Sequence, residues 1–397
     1  MAKRLAIPSE HVSVRIVGPR DSFFASRVQR ITLGSDIPTT DVYELGSNTL
    51  AGTVQDTPNV TITFSAFDVG VKVFSVLTGT NPTSYPSTGV NISNLGEADV
   101  IVYIRDESVS DYAKSIHGKR LQVRDFSFSY SVDGESTEDY TLIGSEKRMF
   151  KNDVVVDRFT TGTTNFTLSQ TPIVLKNGNY ALSVILDGQY LEEVSTTPSS
   201  GQYRIVGTTL TTGDTRTAQV IAIYHANPAG NNWSYISDSD VPAAIRGRDV
   251  NVVIGANNIK RVQSVTINGN LNVQPVREMG SRTVVGYQRQ TPTVEGTITV
   301  LDTDTELIDL LTSGSINSGA TEFSFGQGCV ASGVTMVVEL VDPCDATVPY
   351  TVLKSIEVPD IVVVGDSWTS TVNQNSTWNI NYRSNTAQCI VYSGAIP

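Results

Sequence analysis

At 397 residues the chain is longer than one hydrophobic core usually organises, so it is expected to form two or three domains, each large enough to fold without a disulfide or metal staple. Forty acidic against 28 basic residues give a net charge of −12, which argues against neutralising DNA phosphates or clinging to an anionic membrane, though not against a negative surface that DNA slides past. A charged fraction of 17%, 31 glycines and abundant Thr, Ser, Val and Ile point to strands and turns rather than long solvated helices.

In chain order, residues 1–11 carry no apolar run of signal-peptide length, and no later segment approaches the roughly 18 apolar residues of a membrane span, so synthesis and retention in the cytosol are expected. A long hydrophilic loop at 34–58 leads through a Thr-Pro turn into a strand at 60–67, where apolar and small polar residues alternate. Asp68 as N-cap with Val71, Phe74 and Leu77 at helical spacing then predicts a short helix closing one side of a sheet. A strand follows at 100–104, and the alternation at 121–130, a turn at Asp133-Gly134 and residues 140–142 make a long hairpin.

From about 160 the cadence changes to short strands at 166–168, 180–186, 203–206 and 218–224, separated by Asn-Gly, Asp-Gly, Val-Gly and Gly-Asp turns. That spacing reads as a small β-sandwich, whose default role is decoration or spacing.

Residues 261–312 then repeat residues 27–78 without a gap. Identical positions include Arg27/Arg261, Val28/Val262, Gln29/Gln263, Glu44/Glu278, Gly46/Gly280, Ser47/Ser281, Gly52/Gly286, Pro58/Pro292, Thr63/Thr297 and Asp68/Asp302. A period this long is duplication of a complete fold rather than a solenoid. The second copy therefore predicts a loop at 268–292, a strand at 294–301 and a helix capped by Asp302 with Leu307, Ile308, Leu310 and Leu311 on one face. Further on, residues 336–340 match 100–104 and 354–360 match 119–125, and a hairpin is expected from 356–364 to 378–382 with its turn near Gly365-Asp366.

The repeated block, from strand through Glu-Leu-Gly at 44–46 or Glu-Met-Gly at 278–280 to the long loop, Thr-Pro, strand and capped helix, resembles the tail tube proteins of long-tailed bacteriophages. The middle piece, with LDGQYL, YRIVGTTLTT and VIAIYHA, looks like the Ig-like modules inserted in phage tail proteins. Fold class and boundaries follow: all-β with minor α, with a tail-tube-like sheet or barrel domain at 1–158, an Ig-like β-sandwich at 159–247 and a second tail-tube-like domain at 248–397.

The resemblance implies a structural virion protein, assembled in the host cytoplasm, whose rings stack into a hollow tube that carries genomic DNA without binding it specifically. Its implied partners are itself, in a trimeric pseudo-hexameric ring or a hexamer, together with the tape-measure and the tail terminator and tip proteins. An acidic lumen would let a polyanion pass without braking. Within the two long loops, Asp41, Glu44, Gly46, Asp56, Gln274, Glu278, Gly280 and Arg289 are the candidate ring and stacking residues.

The chemistry-bearing residues point to no enzyme, cofactor or metal. His11, His117 and His225 share no ligand spacing, and Cys329, Cys344 and Cys389 are odd in number and read as free buried thiols. No nucleophile elbow, Walker loop or dinucleotide fingerprint occurs. Asp302, Asp304 and Glu306 resemble part of a calcium loop but lack its glycine and its distant glutamate, so capping explains them better. Two rival readings remain: a virion-surface adhesin binding host carbohydrate through the middle module, hinted at by Trp233 and Tyr235, and a tail-tip hydrolase with convergent carboxylates.

Overall fold

The computed structural model describes residues 9–46, 49–67, 71–79, 89–105, 113–134, 136–151, 153–160, 162–214, 219–226, 247–255, 257–259, 261–280, 284–301, 333–342, 350–372 and 375–396. Strands dominate them. The first copy contributes β1 (Val12–Val17), β2 (Ser22–Phe24), β3 (Val28–Asp36), β4 (Thr39–Tyr43), β5 (Leu50–Gln55) and β6 (Asn59–Ala66). After helix α1 (Lys72–Thr78) come β7 (Val90–Asn91), β8 (Glu97–Arg105), β9 (Ala113–Ser131), β10 (Thr137–Gly144) and β11 (Glu146–Phe150).

The middle piece has β12 (Val154–Phe159), β13 (Asn165–Thr167), β14 (Ser183–Leu186), β15 (Gln189–Tyr190), β16 (Glu192–Glu193), β17 (Gln202–Val206), β18 (Thr209–Thr212) and β19 (Val220–His225). The second copy has β20 (Val250–Ile254), β21 (Asn257–Asn258), β22 (Val262–Asn270), β23 (Val273–Val276), β24 (Gly286–Arg289) and β25 (Thr293–Val300). It ends with β26 (Val334–Val341), β27 (Val352–Thr369), β28 (Thr377–Ser384) and β29 (Ile390–Ser393).

The duplication is visible in the backbone. Arg27 and Arg261 both take left-handed φ, 59° and 64°, at a bulge where the strand register shifts in β3 and in β22 alike. The identical Arg-Val-Gln tripeptide serves that bulge: Gln29 Nε2 donates to the Arg27 carbonyl and Gln263 Nε2 to the Arg261 carbonyl, 3.2 and 3.3 Å. Each of these carbonyls also accepts a backbone amide, Arg27 from Phe67 at 3.1 Å and Arg261 from Leu301 at 3.0 Å, so the glutamine adds a second bond that pins the bulge.

Pairing corrects the alignment further along. Phe64 pairs with Tyr140 and Ile298 with Ile380; Tyr140 then pairs with Phe126 and Ile380 with Asp366, so residue 126 corresponds to 366 and Lys114 to Lys354. The expected match of 119–125 to 354–360 is therefore out by five residues. Arg120 and Asp360, both with left-handed φ, are the true equivalents.

The two copies form one sheet system around one core. Antiparallel pairing runs β3–β6–β10–β9–β22–β25–β28–β27 without a break, half from each copy. The long strands β9 and β27 bend: their first halves pair with β8 and β26, which lead to β1 and β20 in a second layer. Between the layers lie Ile16, Ile62, Phe64, Val100 and Leu142 of the first copy and Ile254, Ile298, Val338, Ile356 and Tyr382 of the second. Helix α1 buries Val73, Phe74, Val76 and Leu77 in this core and ends at Gly79, whose φ of 67° suits a glycine cap. The expected stripe of Val71, Phe74 and Leu77 is buried, whereas Asp68 and the second helix at 302–312 lie outside the described residues.

Two further expectations are corrected. The segments read as long loops are ribbons, β4 against β5 and β23 against β24. No turn breaks the chain at Gly365-Asp366: β27 passes a bulge at Val364 and continues to Thr369 along β28.

In the middle piece two four-stranded sheets, β12-β19-β14-β15 and β13-β18-β17-β16, pack face to face over Val155, Val184, Tyr224, Phe166, Ile205 and Leu210. The outer face of the first sheet rests on the first copy through Val154, Ile185, Ile221 and Ile223 against Val17, Ile101 and Tyr103.

Candidate assembly surfaces

The contact between the two copies is a strand pairing. The second half of β9 and β22 lie antiparallel, with Tyr130 opposite Val265, Phe128 opposite Ile267 and Phe126 opposite Gly269. Gly269 is needed because a Cβ there would sit 1.9 Å from the Phe126 ring. Lys354 of the second copy is fully buried, with Nζ bonded to Glu138 of the first copy and 5.4 Å from the centre of the Phe128 ring. Tyr140 donates to the same carboxylate at 3.0 Å. A buried lysine of this kind is tolerated only with a counter-charge and further bonds, and both are present.

The ribbons add to this contact. Arg277 Nη1 donates to Asp56 at 2.8 Å and Nη2 to Asn59 at 3.3 Å. The amide of Thr57 and the Arg277 charge hold the Asp56 carboxyl below the usual carboxylate range, outweighing its slight desolvation. Arg289 reaches across to the carbonyls of Ser93 and Leu95 and to Gln122 Oε1. Among the sequence-derived candidates, Asp56 and Arg289 thus sit in the copy-to-copy contact. Asp41 accepts from Thr53 at 3.2 Å on its own ribbon, Gln274 faces Gln288, and Glu44, Gly46, Glu278 and Gly280 cluster at the two ribbon tips. Gly46 and Gly280 turn those tips with φ of 88° and 89°, and Leu45 and Met279 beside them are fully exposed.

Each copy carries both halves of the β9–β22 junction, so one of each half is left over. The outer edge of β3, the counterpart of β22, has no strand partner among the described residues, and neither has the outer edge of β27 beyond residue 361, the counterpart of the second half of β9. Burial follows: Trp368 is 62% exposed where its equivalent Phe128 is 0%, and Ile31 and Leu33 are half-covered where Val265 and Ile267 are buried. Open, apolar-backed edges of this length are templates for another strand.

The eight-strand row has one buried and one solvated face. The solvated face is nearly all hydroxyl and amide: Thr61, Thr63 and Ser65 on β6, Ser127 and Ser129 on β9, Thr266 and Asn268 on β22, Thr297 and Thr299 on β25, and Asn379 and Asn381 on β28. Cross-strand bonds organise it, Ser127 to Asn268 at 2.6 Å and Thr297 to Asn381 and Thr299 to Asn379 at 2.8 Å each. Its ionisable residues are Asp36, Asp125, Asp139 and Glu295 against Arg30 and Arg383, with Arg124 at the β9 bulge paired to Asp125 at 2.6 Å, which leaves a slight excess of acid.

Sequence reasoning missed the middle piece's anchor. Asp99 is buried and accepts from Ser183 at 2.7 Å and Tyr190 at 2.8 Å of that piece, and from the Arg120 amide at 2.8 Å, with His117 Nε2 at 2.9 Å. Burial pushes the Asp99 carboxyl up, but these partners together outweigh it and hold the group below its ordinary range. His117 is thus a buried structural residue, and Cys389 is a buried free thiol. Trp233, Tyr235, Asp302, Asp304, Glu306, Cys329 and Cys344 lie outside the described residues.

No protein-family model matches the chain, and no curated protein does. Among solved structures, a chain of the sheath-tube complex of the PVC extracellular contractile injection system, in its extended state, is similar at 16% identity and a TM-score of 0.27. The match covers 39% of this chain and 93% of that one.

Proposed function

We propose that the protein is a structural, self-assembling virion subunit without a catalytic site: three chains close a pseudo-hexameric ring, and rings stack into a hollow phage tail tube that delivers DNA. The observation that carries this reading is the pairing of β9 with β22 inside the chain, together with the unused copy of each edge at its two ends. A surface that ends in two complementary, non-identical edges adds subunits head to tail and closes when the rotation per chain allows. The solvated Ser, Thr and Asn face with its acidic excess is assigned to the lumen, where it offers DNA no attractive phosphate contacts. The ribbon tips with Leu45 and Met279 are assigned to stacking between rings, and the middle piece to an Ig-like module on the outside. The tape-measure and the terminator and tip proteins are the further partners of such a tube.

Negative-stain electron microscopy of concentrated protein, with native mass measurement of the smallest ring, tests the reading. Stacked hollow rings of three chains are expected. Rings of six would place one copy outside the wall, and a monomer at all concentrations would overturn the tube assignment.

A further inference from the structure

The counterpart of the buried Lys354 is Lys114. In each copy the lysine stands at the same rung, Lys354 opposite Leu340 and Lys114 opposite Ile104, positions related as Met336 is to Val100. Yet Lys354 is 0% exposed, between Glu138 and the Phe128 ring, while Lys114 is exposed in the single chain. Lys354 gains its surroundings from the other copy, and the residues that would surround Lys114 by the same relation lie on the open edge of β27. There Trp368 replaces Phe128 and Trp378 replaces Glu138, and these two residues are directly opposite each other. The carboxylate has moved to the neighbouring rung: Asp366 stands where Phe126 stands in the first copy, and Trp378 Nε1 donates to it at 2.8 Å. An aromatic ring and one negative charge are thus kept, with their positions exchanged.

We infer that the open edge of β27 takes β3 of a second copy of this chain in one antiparallel register, Leu33 opposite Trp368 and Thr32 opposite Thr369, with Lys114 of that second copy over the Trp368 indole and Asp366 as its counter-ion. The register is that of Ile267 opposite Phe128 and Thr266 opposite Ser129 within the chain. A lysine over an indole beside a carboxylate combines a cation–π contact with an ion pair, stronger in a covered edge than at an open surface. The inference rests on the ring reading above and adds which atoms join the chains.

Cysteine pairs test it in the full-length protein. Thr32 and Thr369 are exposed and polar, so replacing them leaves the core intact, and directly opposed strand residues fall within disulfide reach. Under oxidised glutathione, Thr32→Cys/Thr369→Cys is expected to give covalently closed rings on a non-reducing gel. Thr32→Cys/Ser367→Cys, one rung pair out of register, is expected to cross-link at least tenfold more slowly. Lys114→Met and Asp366→Asn should each raise the concentration for half-assembly by about tenfold, with Lys114→Arg close to wild type. Rings that form but cross-link only through the out-of-register pair, or not at all, would overturn this inference and leave the ring reading standing. Absence of rings from the unmutated chain would overturn both.

Discussion

Glu138 and Lys354 lie 216 positions apart in sequence and meet where neither side chain touches water. Their desolvation cost is met only while both are present, so Lys354→Met leaves a buried carboxylate without its counter-charge and is expected to lower stability by about 3–5 kcal/mol in urea unfolding. The double variant Lys354→Met/Glu138→Leu should recover most of that loss, because an apolar pair of similar size needs no compensation. Asp99 offers a pH test of the same principle. Its folded carboxyl titrates below the ordinary 3.8, so the stabilisation it provides is complete above that value and is lost as pH falls through the lower folded one. Asp99→Asn should therefore be several kcal/mol less stable at neutral pH, roughly 3–5 by analogy with other broken buried networks, and the gap to wild type should narrow in thermal melts below pH 3.8. Neither site was legible in the sequence. A lone Glu, Lys or Asp among strands carries no signal of burial, and the five-residue slip in the alignment hid the one clue available, that Lys114 and Lys354 occupy the same place.

Elements with a strong period were read directly. Residues 60–67 and 294–301 have one buried and one solvated face, which the alternation of side chains records. The ribbons were not, because all of β4 and β5 are exposed, as are the last three residues of β23, and β24 buries none of its residues, leaving no alternation to read. Gly365-Asp366 carried a turn signal that pairing with β28 overrides, since a bulge at Val364 absorbs the irregularity and eight rungs hold the strand on course. The β9–β22 junction is the element whose fit is most exposed to test. Gly269→Ala places a methyl against the Phe126 ring and should cost about 1–3 kcal/mol, read by denaturant unfolding. Gly52→Ala, where nothing lies within 4 Å of the added Cβ, should stay within about 0.5 kcal/mol of wild type.

For the whole molecule the decisive quantity is the match between its two ends and the character of the face between them. Duplication fixed one copy-to-copy junction inside the chain, so that in the proposed three-chain ring half of the contacts would not depend on concentration. The open edges would then carry the assembly equilibrium of such a ring, and on β27 the side chains have diverged from Phe128 and Glu138 to Trp368 and Trp378. The solvated face has kept its character across the junction, with Ser, Thr or Asn on each of its inner strands, interrupted among the described residues by the aliphatic Ile143 and Val362 but by no aromatic ring on which a base would stack. Its acids stand near the centre, Asp125 and Asp139 on the first copy and Glu295 on the second, so a lumen built from this face would repel a duplex weakly at every step. Replacing Asp139 and Glu295 with lysine changes the face from acidic to basic while leaving both edges untouched. Tubes of that variant are expected to assemble normally by electron microscopy and to retain short duplex DNA at low salt, with retention falling steeply as salt rises, whereas wild-type tubes should retain none. Equal retention by both tubes would mean that the polar face does not line the lumen.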